Sequence, residues 1–192
     1  KQAKIQQSLK EEQYKISVVI PNYNYEKFML QRLYSILYQT TKISEIIILD
    51  DCSVDNSRKL IDEIEKKLNK YIKIKKIYNE KNSGSAFKQW QKGFTNAEGD
   101  YVWIAEADDY SDKTFLKTVT KPLEKYNDIK ISYLDTAFID KDGYIITRSI
   151  KPEIDLLNTG HWDNDFVSNG LDEINKYAYL NCTIANVSSV LF

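Results

Sequence analysis

Cysteine and histidine are scarce here: Cys52 and Cys182 stand far apart, and His161 is the lone imidazole. So few ligand-type side chains without paired spacing exclude a zinc site and a disulfide framework, and they fit a reducing, cytoplasmic setting. Long apolar runs are also missing. None approaches the ~20 residues of a membrane span, and no signal-peptide pattern precedes the first strand, so any membrane association is peripheral, at the inner face. An excess of positive charge is absent as well. With 27 Lys and Arg against 28 Asp and Glu there is no global field of the kind that holds nucleic acid, and an anionic ligand must be recognised locally. The first residue is Lys1 rather than Met, as expected of a piece of a longer polypeptide that carries further domains. What is present, 192 residues of which 42% are hydrophobic, suffices for one domain with a real core.

Residues 1–14, mostly Lys, Gln and Glu, read as a solvated helical lead-in or linker, and the domain proper is expected over 15–192. Lys15–Ile20 (KISVVI) is a β-branched apolar run that Pro21-Asn22-Tyr23-Asn24 is expected to stop. Phe28, Leu30, Leu33, Ile36 and Leu37 then recur at helical spacing, and Ile43–Leu49 (ISEIIIL) is a second buried strand. A helix through Leu60, Ile61, Ile64 and Leu68 follows, for which Ser53 is a suitable N-cap. Ile72–Tyr78 alternates apolar residues with Lys, the pattern of a strand near an edge with one solvated face. Phe87, Trp90 and Phe94 mark the next helix, with Trp90 as a core residue and Ala97-Glu98-Gly99 as its close. Farther on, Phe115, Leu116, Val119 and Leu123 predict a helix, Lys130–Ile139 a strand, and Lys141-Asp142-Gly143 a turn into a partner strand at Tyr144–Ile150. Lys151–Gly170 is polar and aperiodic, as in a mobile loop; Leu171–Leu180 reads as helix and Thr183–Phe192 as the start of another strand.

Alternating strands and helices predict a three-layer α/β/α sandwich with a mostly parallel, Rossmann-like central sheet. Its focus is Tyr101–Tyr110 (YVWIAEADDY), an apolar strand running into Glu106, Asp108 and Asp109. Ligands bind at the carboxyl ends of strands in such sheets. Carboxylates gathered there repel one another unless a cation is shared among them, and hard oxygen ligands select Mg²⁺ or Mn²⁺, the ions that grip a diphosphate. The alternative is an acidic turn capping the helix that starts near Ser111. Glycine is missing where other nucleotide folds need it: the turn after the first strand has none, which excludes a dinucleotide-binding fingerprint and a P-loop. Nor does that strand end in the nucleophilic Asp of a dehalogenase-type phosphotransferase. The acidic pairs follow strands two and four, not the places a response-regulator receiver uses.

VVIPNYN with a following helix containing SILYQT, then EIIILDDCSVDNS, then NSGSAFKQWQKGFTNAEGDYVWIAEADD run in order from Ile16 to Asp109. In this the chain resembles the donor-binding portion of a family 2 glycosyltransferase of the GT-A fold, and NCTIANVSSVLF at its end resembles a further segment of those enzymes. The resemblance implies metal-dependent transfer, with inversion, of a sugar from a nucleotide-diphospho-sugar donor to a saccharide or other hydroxyl acceptor, in cell-surface polysaccharide or glycoconjugate synthesis. On this reading residues 15–192 are a GT-A domain cut short on its acceptor side, and a nucleotide-sugar-binding module without turnover of its own is the alternative.

The same resemblance assigns roles. Pro21 shapes the first loop, and Tyr23 offers a ring for the base to stack on. Asp51 accepts from a ring N–H, which selects uracil or thymine over cytosine. Asp50 orients the loop or serves as a capping carboxylate in front of Ser53. Ser53, Gly84 and Lys88 complete the nucleotide-binding set, Lys88 as a point charge near the diphosphate. Asp109 is the direct metal ligand, and Asp108 contacts ribose or metal. Glu106 stands where an Asp is usual and reaches one methylene farther, toward the ion through water or elsewhere. No base for the acceptor hydroxyl is recognisable; Asp163, Asp165, Asp172 and Glu173 are candidates by position only.

Overall fold

The computed structural model describes residues 14–192; the lead-in expected over 1–14 falls, apart from Tyr14, outside them. The chain divides into two compact units, one formed by residues up to Ser132 together with Val190–Phe192, the other by Tyr133–Ser189.

The first unit is built on the strands that the apolar runs predict. β1 (Ile16–Asn22), β2 (Glu45–Asp50), β3 (Lys73–Tyr78) and β4 (Tyr101–Ile104) are parallel, and every residue of β1 and β2 is buried. With β8 (Val190–Leu191) and β5 (Ser132–Tyr133) they form a six-stranded sheet of order β3-β2-β1-β4-β8-β5. β3 lies at the edge, as its alternation of Lys with apolar residues requires. Helices α1 (Glu26–Leu37), α2 (Ser57–Leu68) and α3 (Ala86–Asn96) connect the strands, and α4 (Phe115–Thr120) follows β4. The chain leaves β1 toward β2 and β3, then returns to β4 on the other flank of β1. The carboxyl ends of β1 and β4 therefore face a topological switch point, where such sheets open a ligand crevice.

β1 runs two residues past its expected end. Pro21 pairs in register with Leu49 and Asn22 with Asp50, and the turn begins only at Tyr23. Gly99 does not act as a left-handed helix stop: a Cβ there would lie 2.7 Å from Lys15 O and Ser17 N, so it permits close approach of the chain to β1. Pro122 turns the helix expected through Leu123 into a 3₁₀ turn over Lys121–Glu124.

The second unit departs further from expectation. Lys130–Ile139 is not one strand: only Ser132–Tyr133 and β6 (Phe138–Ile139) are extended, and β6 pairs with β7 (Ile145–Thr147) across the Lys141-Asp142-Gly143 turn. Asp140 supplies that turn, its Oδ1 accepting from Asp142 N and Tyr144 N, both at 2.9 Å, while Gly143 takes φ +88°. Lys151–Gly170 carries the short helix α5 (Lys151–Ile154) and buries Ile154 and Trp162 with Ile150 in a small core. Its three apolar anchors are too few and too irregularly spaced to show as a period. α6 (Gly170–Glu173) and a π turn at Ile174–Ala178 occupy the predicted helix. Among the described residues no helix is long and apolar enough to cross a membrane.

Candidate functional site: the acidic end of the central sheet

The loops after β1 and β2 are stitched together by side chains. Asn22 Nδ2 donates to Asp50 Oδ2 (2.9 Å) and Ser53 Oγ (3.1 Å), and Asn24 N donates to the same Ser53 Oγ at 2.9 Å. Asn24 adopts φ +61° and accepts from Val54 N at 2.8 Å. Ser53 is therefore a latch between loops and not the cap of α2. That end is held by Asp55, whose Oδ1 accepts from Ser57 N (2.9 Å) and whose Oδ2 accepts from Glu26 N (3.0 Å). Asp50 is wholly buried and spends its other oxygen on Arg58 Nε (2.6 Å) and Ser53 N (3.1 Å). Tyr23 stands above this frame, 44% exposed.

Asp51, one residue on, is almost fully buried and ties the loop 79–85 to β2. Its Oδ1 accepts from Asn79 Nδ2 (2.5 Å) and Ser83 N (2.9 Å), and its Oδ2 from Ser83 Oγ (2.7 Å). Burial pushes this carboxyl up, yet the hydrogen bonds from Ser83 and Asn79, with the charge of Lys92, outweigh it and hold the carboxyl below its ordinary range. Gly84 takes φ +66°, its N–H donating to Asn82 Oδ1 at 2.7 Å. Lys88 is exposed on α3 and reaches Ser83 O at 3.3 Å.

Beyond β4, Glu106, Asp108 and Asp109 follow in a tight turn closed by Asp109 N donating to Glu106 O (3.2 Å). Trp90 is not core: half-buried on α3, it donates from Nε1 to Glu106 Oε1 at 2.5 Å. Burial pushes the Glu106 carboxyl above its usual value. The Trp90 hydrogen bond opposes that, the charges of Asp108 and Asp109 add to it, and Arg32 opposes it again. Tyr25, at the start of α1, is held up by the charge of Asp108 and then by burial, with a hydrogen bond to Asp108 acting in the same direction. Beneath the cluster lies Arg32, wholly buried on α1, its guanidinium 4.9 Å from the Trp103 ring and donating from Nη1 to Ser111 Oγ at 2.8 Å. Burial lowers it to about 10, against the pull of Asp109, Glu106 and Asp108, so it stays a cation at neutral pH.

Arg32, Tyr25 and Trp90 thus join the site unforeseen. Arg32 left a trace in the sequence, a charge in register with Met29, Leu33 and Ile36 on the buried stripe of a helix; Trp90 and Tyr25 left none among so many aromatics. Among the described residues no three His, Cys, Asp or Glu side chains converge as a metal nest. Glu106 is engaged by Trp90, which leaves Asp108 and Asp109. That set fits an ion that takes one or two carboxylates and draws its remaining ligands from a diphosphate and water.

The candidates for a base all lie in the second unit. Asp163, Asp165 and Asp172 are exposed, and Glu173 is half-buried against His161 Nε2, at 3.0 and 3.1 Å.

Residues 17–178 match the family described as Glycosyl transferase family 2. The poly(ribitol-phosphate) beta-N-acetylglucosaminyltransferase TarS of Staphylococcus aureus is 28% identical over 151 residues, which cover 76% of this chain and 25% of TarS. TuaG of Bacillus subtilis, named for teichuronic acid biosynthesis, is 35% identical over 94 residues, 49% of this chain and 36% of TuaG. The chain thus spans about a quarter to a third of the length of these curated relatives. The crystal structure of S. aureus TarS residues 1–349 with UDP-GlcNAc superposes with a TM-score of 0.52 at 29% identity, over 59% of this chain and 32% of that one. The parallel sheet is thereby that of the GT-A glycosyltransferases.

Proposed function

Because the chain belongs to glycosyl transferase family 2, we propose that it moves a sugar from a uridine or thymidine diphosphate donor to a hydroxyl acceptor, with inversion at the anomeric carbon. The observation that carries this reading is the placement of Asp51 and the Glu106–Asp109 turn on strands that flank β1 at the switch point. Relatives named for wall-polymer synthesis and a neighbour crystallised with UDP-GlcNAc support the donor type and a role in cell-surface polysaccharide assembly. Two free cysteines fit work in the cytoplasm.

In this reading Pro21 and the Asn22–Ser53 latch fix the loop from which Tyr23 presents its ring to the base. Asp51 takes the ring N–H. Its Oδ2 keeps the bond from Ser83 N (3.1 Å) and gains a vacant lone pair when the Ser83 hydroxyl turns its proton to Ser85 O, 3.2 Å away. Asp50 and Ser53 hold the frame, and Gly84 keeps the loop beside the donor slender. Lys88 supplies charge toward the diphosphate, and Asp108 meets the ribose. Asp109, with Asp108, would hold the Mg²⁺ or Mn²⁺ whose charge neutralises the leaving diphosphate.

The test is a thermal-shift series with UDP, dTDP, GDP, ADP and CDP, with and without Mn²⁺, since a ligand that binds the native state raises Tm by mass action. UDP and dTDP should give the largest shifts, by about tenfold in affinity over CDP and ADP, whose rings offer no N–H to a charged acceptor. Asp51→Asn should blunt the preference and Asp109→Asn should abolish the Mn²⁺-dependent part alone. Equal shifts with all five nucleotides would overturn the base-reading role. UDP binding with neither hydrolysis nor transfer of UDP-sugars would leave the binding-module reading standing instead.

A further inference from the structure

A cleft of about 230 Å³ opens on the first unit, lined by Tyr34, Ser35 and Tyr38 of α1 and by Tyr110, Ser111 and Lys113 beyond the acidic turn. No role proposed above uses any of them. Its walls are held firmly: Gln39 donates from Nε2 to Ser35 O (2.9 Å) and Asp112 O (2.7 Å), and its Oε1 accepts from Leu116 N at 2.9 Å. Thr40 N donates to Lys113 O at 2.8 Å. A cleft whose two sides are cross-linked in this way is formed before any ligand arrives.

The floor is polar and backed by charge. Ser35 and Ser111 are buried, and Arg32, fully buried behind them, donates from Nη1 to Ser111 Oγ at 2.8 Å. Ser35 spends its proton on Arg32 O, whereas the Ser111 hydroxyl, polarised by the guanidinium, can donate its own to an incoming oxygen. Arg32 Nε and Nη2 are buried without a hydrogen-bond partner, while Asp109, Glu106 and Asp108 balance its charge from the other side. Lys113 adds a second cation at the rim. The adjoining carboxylate, Asp112, is taken up by Thr114 N (2.8 Å) and Thr114 Oγ1 (2.5 Å), and the lining itself contains no acid. Around this floor stand three open rings: Tyr34 and Tyr38, 55% and 71% exposed and stacked 6.1 Å apart, and Tyr110, 60% exposed.

Aromatic faces bearing hydroxyls, beside the Ser111 hydroxyl donor and the Lys113 ammonium, match the C–H faces, hydroxyls and negative group of a charged sugar. We propose that this cleft is a second carbohydrate site, distinct from the donor site, that takes an anionic saccharide or polyol unit bearing a phosphate or carboxylate. Its chemistry does not depend on the transferase reading. If that reading holds, the site would tether a charged glycan to the enzyme by adding a second point of attachment.

The experiment is a titration by NMR and calorimetry of the chain saturated with UDP and Mn²⁺, using glucose 1-phosphate, glucose and inorganic phosphate as probes. Glucose 1-phosphate should bind with UDP still in place and shift the signals of Ser35 and Ser111. Tyr38→Ala and Lys113→Gln, at exposed side chains, should each weaken it about tenfold while leaving Tm and UDP affinity unchanged. Glucose and phosphate alone should bind at least that much more weakly. Displacement of glucose 1-phosphate by UDP would place it in the donor site and overturn the proposal. So would equal binding of inorganic phosphate, or indifference to both substitutions. Tyr38-dependent binding of glucose 1-phosphate by a chain that ignores UDP would sustain this site and refute the transferase reading alone.

Discussion

Asp51 and Glu106, carboxylates beyond the carboxyl ends of β2 and β4, have environments that act in opposite directions. Asp51 has a folded-state value below its ordinary one, so the stability it contributes is full above the unfolded value of ~3.9 and is lost as pH falls through the folded value. Urea unfolding followed from pH 7 to pH 2 should show a steep acid limb that Asp51→Asn flattens. Glu106 is raised, so the unfolded chain gives up its proton first, and the native state loses stability as pH climbs through that window. Glu106→Gln removes that cost and keeps an acceptor for Trp90 Nε1. It should raise Tm at pH 7 in a thermal melt beside the unsubstituted chain. Unchanged melting would show that the charge of Glu106 is tolerated without cost. Carboxylates at strand ends were visible in the sequence because three acids stand directly behind five apolar residues. Their partners were not, since Trp90 and Ser83 reach them from separate elements that only the fold brings together.

Elements were legible in proportion to how completely they are buried. β1 and β2, covered on both faces, read as unbroken apolar runs, and β3 announced its edge by alternation. Ser53 misled because an N-cap and an inter-loop latch use the same hydroxyl, and the choice depends on where Asn22 and Asn24 lie. The pieces between Lys130 and Gly170 misled because two-residue strands and a three-residue core are shorter than any period. Packing of α3 on β1 offers a test at this scale. A Cβ on Gly93 would come within 2.5 Å of Val19 Cγ1, and Val19 is a fully buried, β-branched core residue that cannot swing aside. Gly93→Ala gains ~1 kcal/mol of helix propensity but overpacks the interface. The expected result is a net loss of about 1 to 2 kcal/mol in urea unfolding, partly recovered in the Gly93→Ala, Val19→Ala double variant. Stabilisation by Gly93→Ala would refute the close contact.

For the whole molecule, the decisive feature is that the sheet of the first unit is completed by Val190–Phe192. Leu191 pairs antiparallel with Trp103, Val102 N donates to Phe192 O (2.8 Å), Phe192 N donates back to Val102 O (2.9 Å), and Phe192 meets Phe94 edge to face. Val190 and Leu191 are buried, and burying two such side chains is worth about 3 to 6 kcal/mol. Removing Val190–Phe192 should therefore cost a large part of the stability of a domain and be visible as a lowered, broadened thermal transition with raised aggregation, because β4 would be left with an open edge. A chain melting normally without these residues would contradict that. The same pairing sets a schedule during synthesis. β4 emerges well before the residues that cover it, and at ~5 to 20 residues per second the wait is roughly 4 to 17 s. Through that interval a nascent chain holds β1, β2, β3 and β4 in hand with an apolar flank unprotected, so its yield in a cell is governed by how fast translation passes Val190–Phe192 as much as by how stable the completed sheet is.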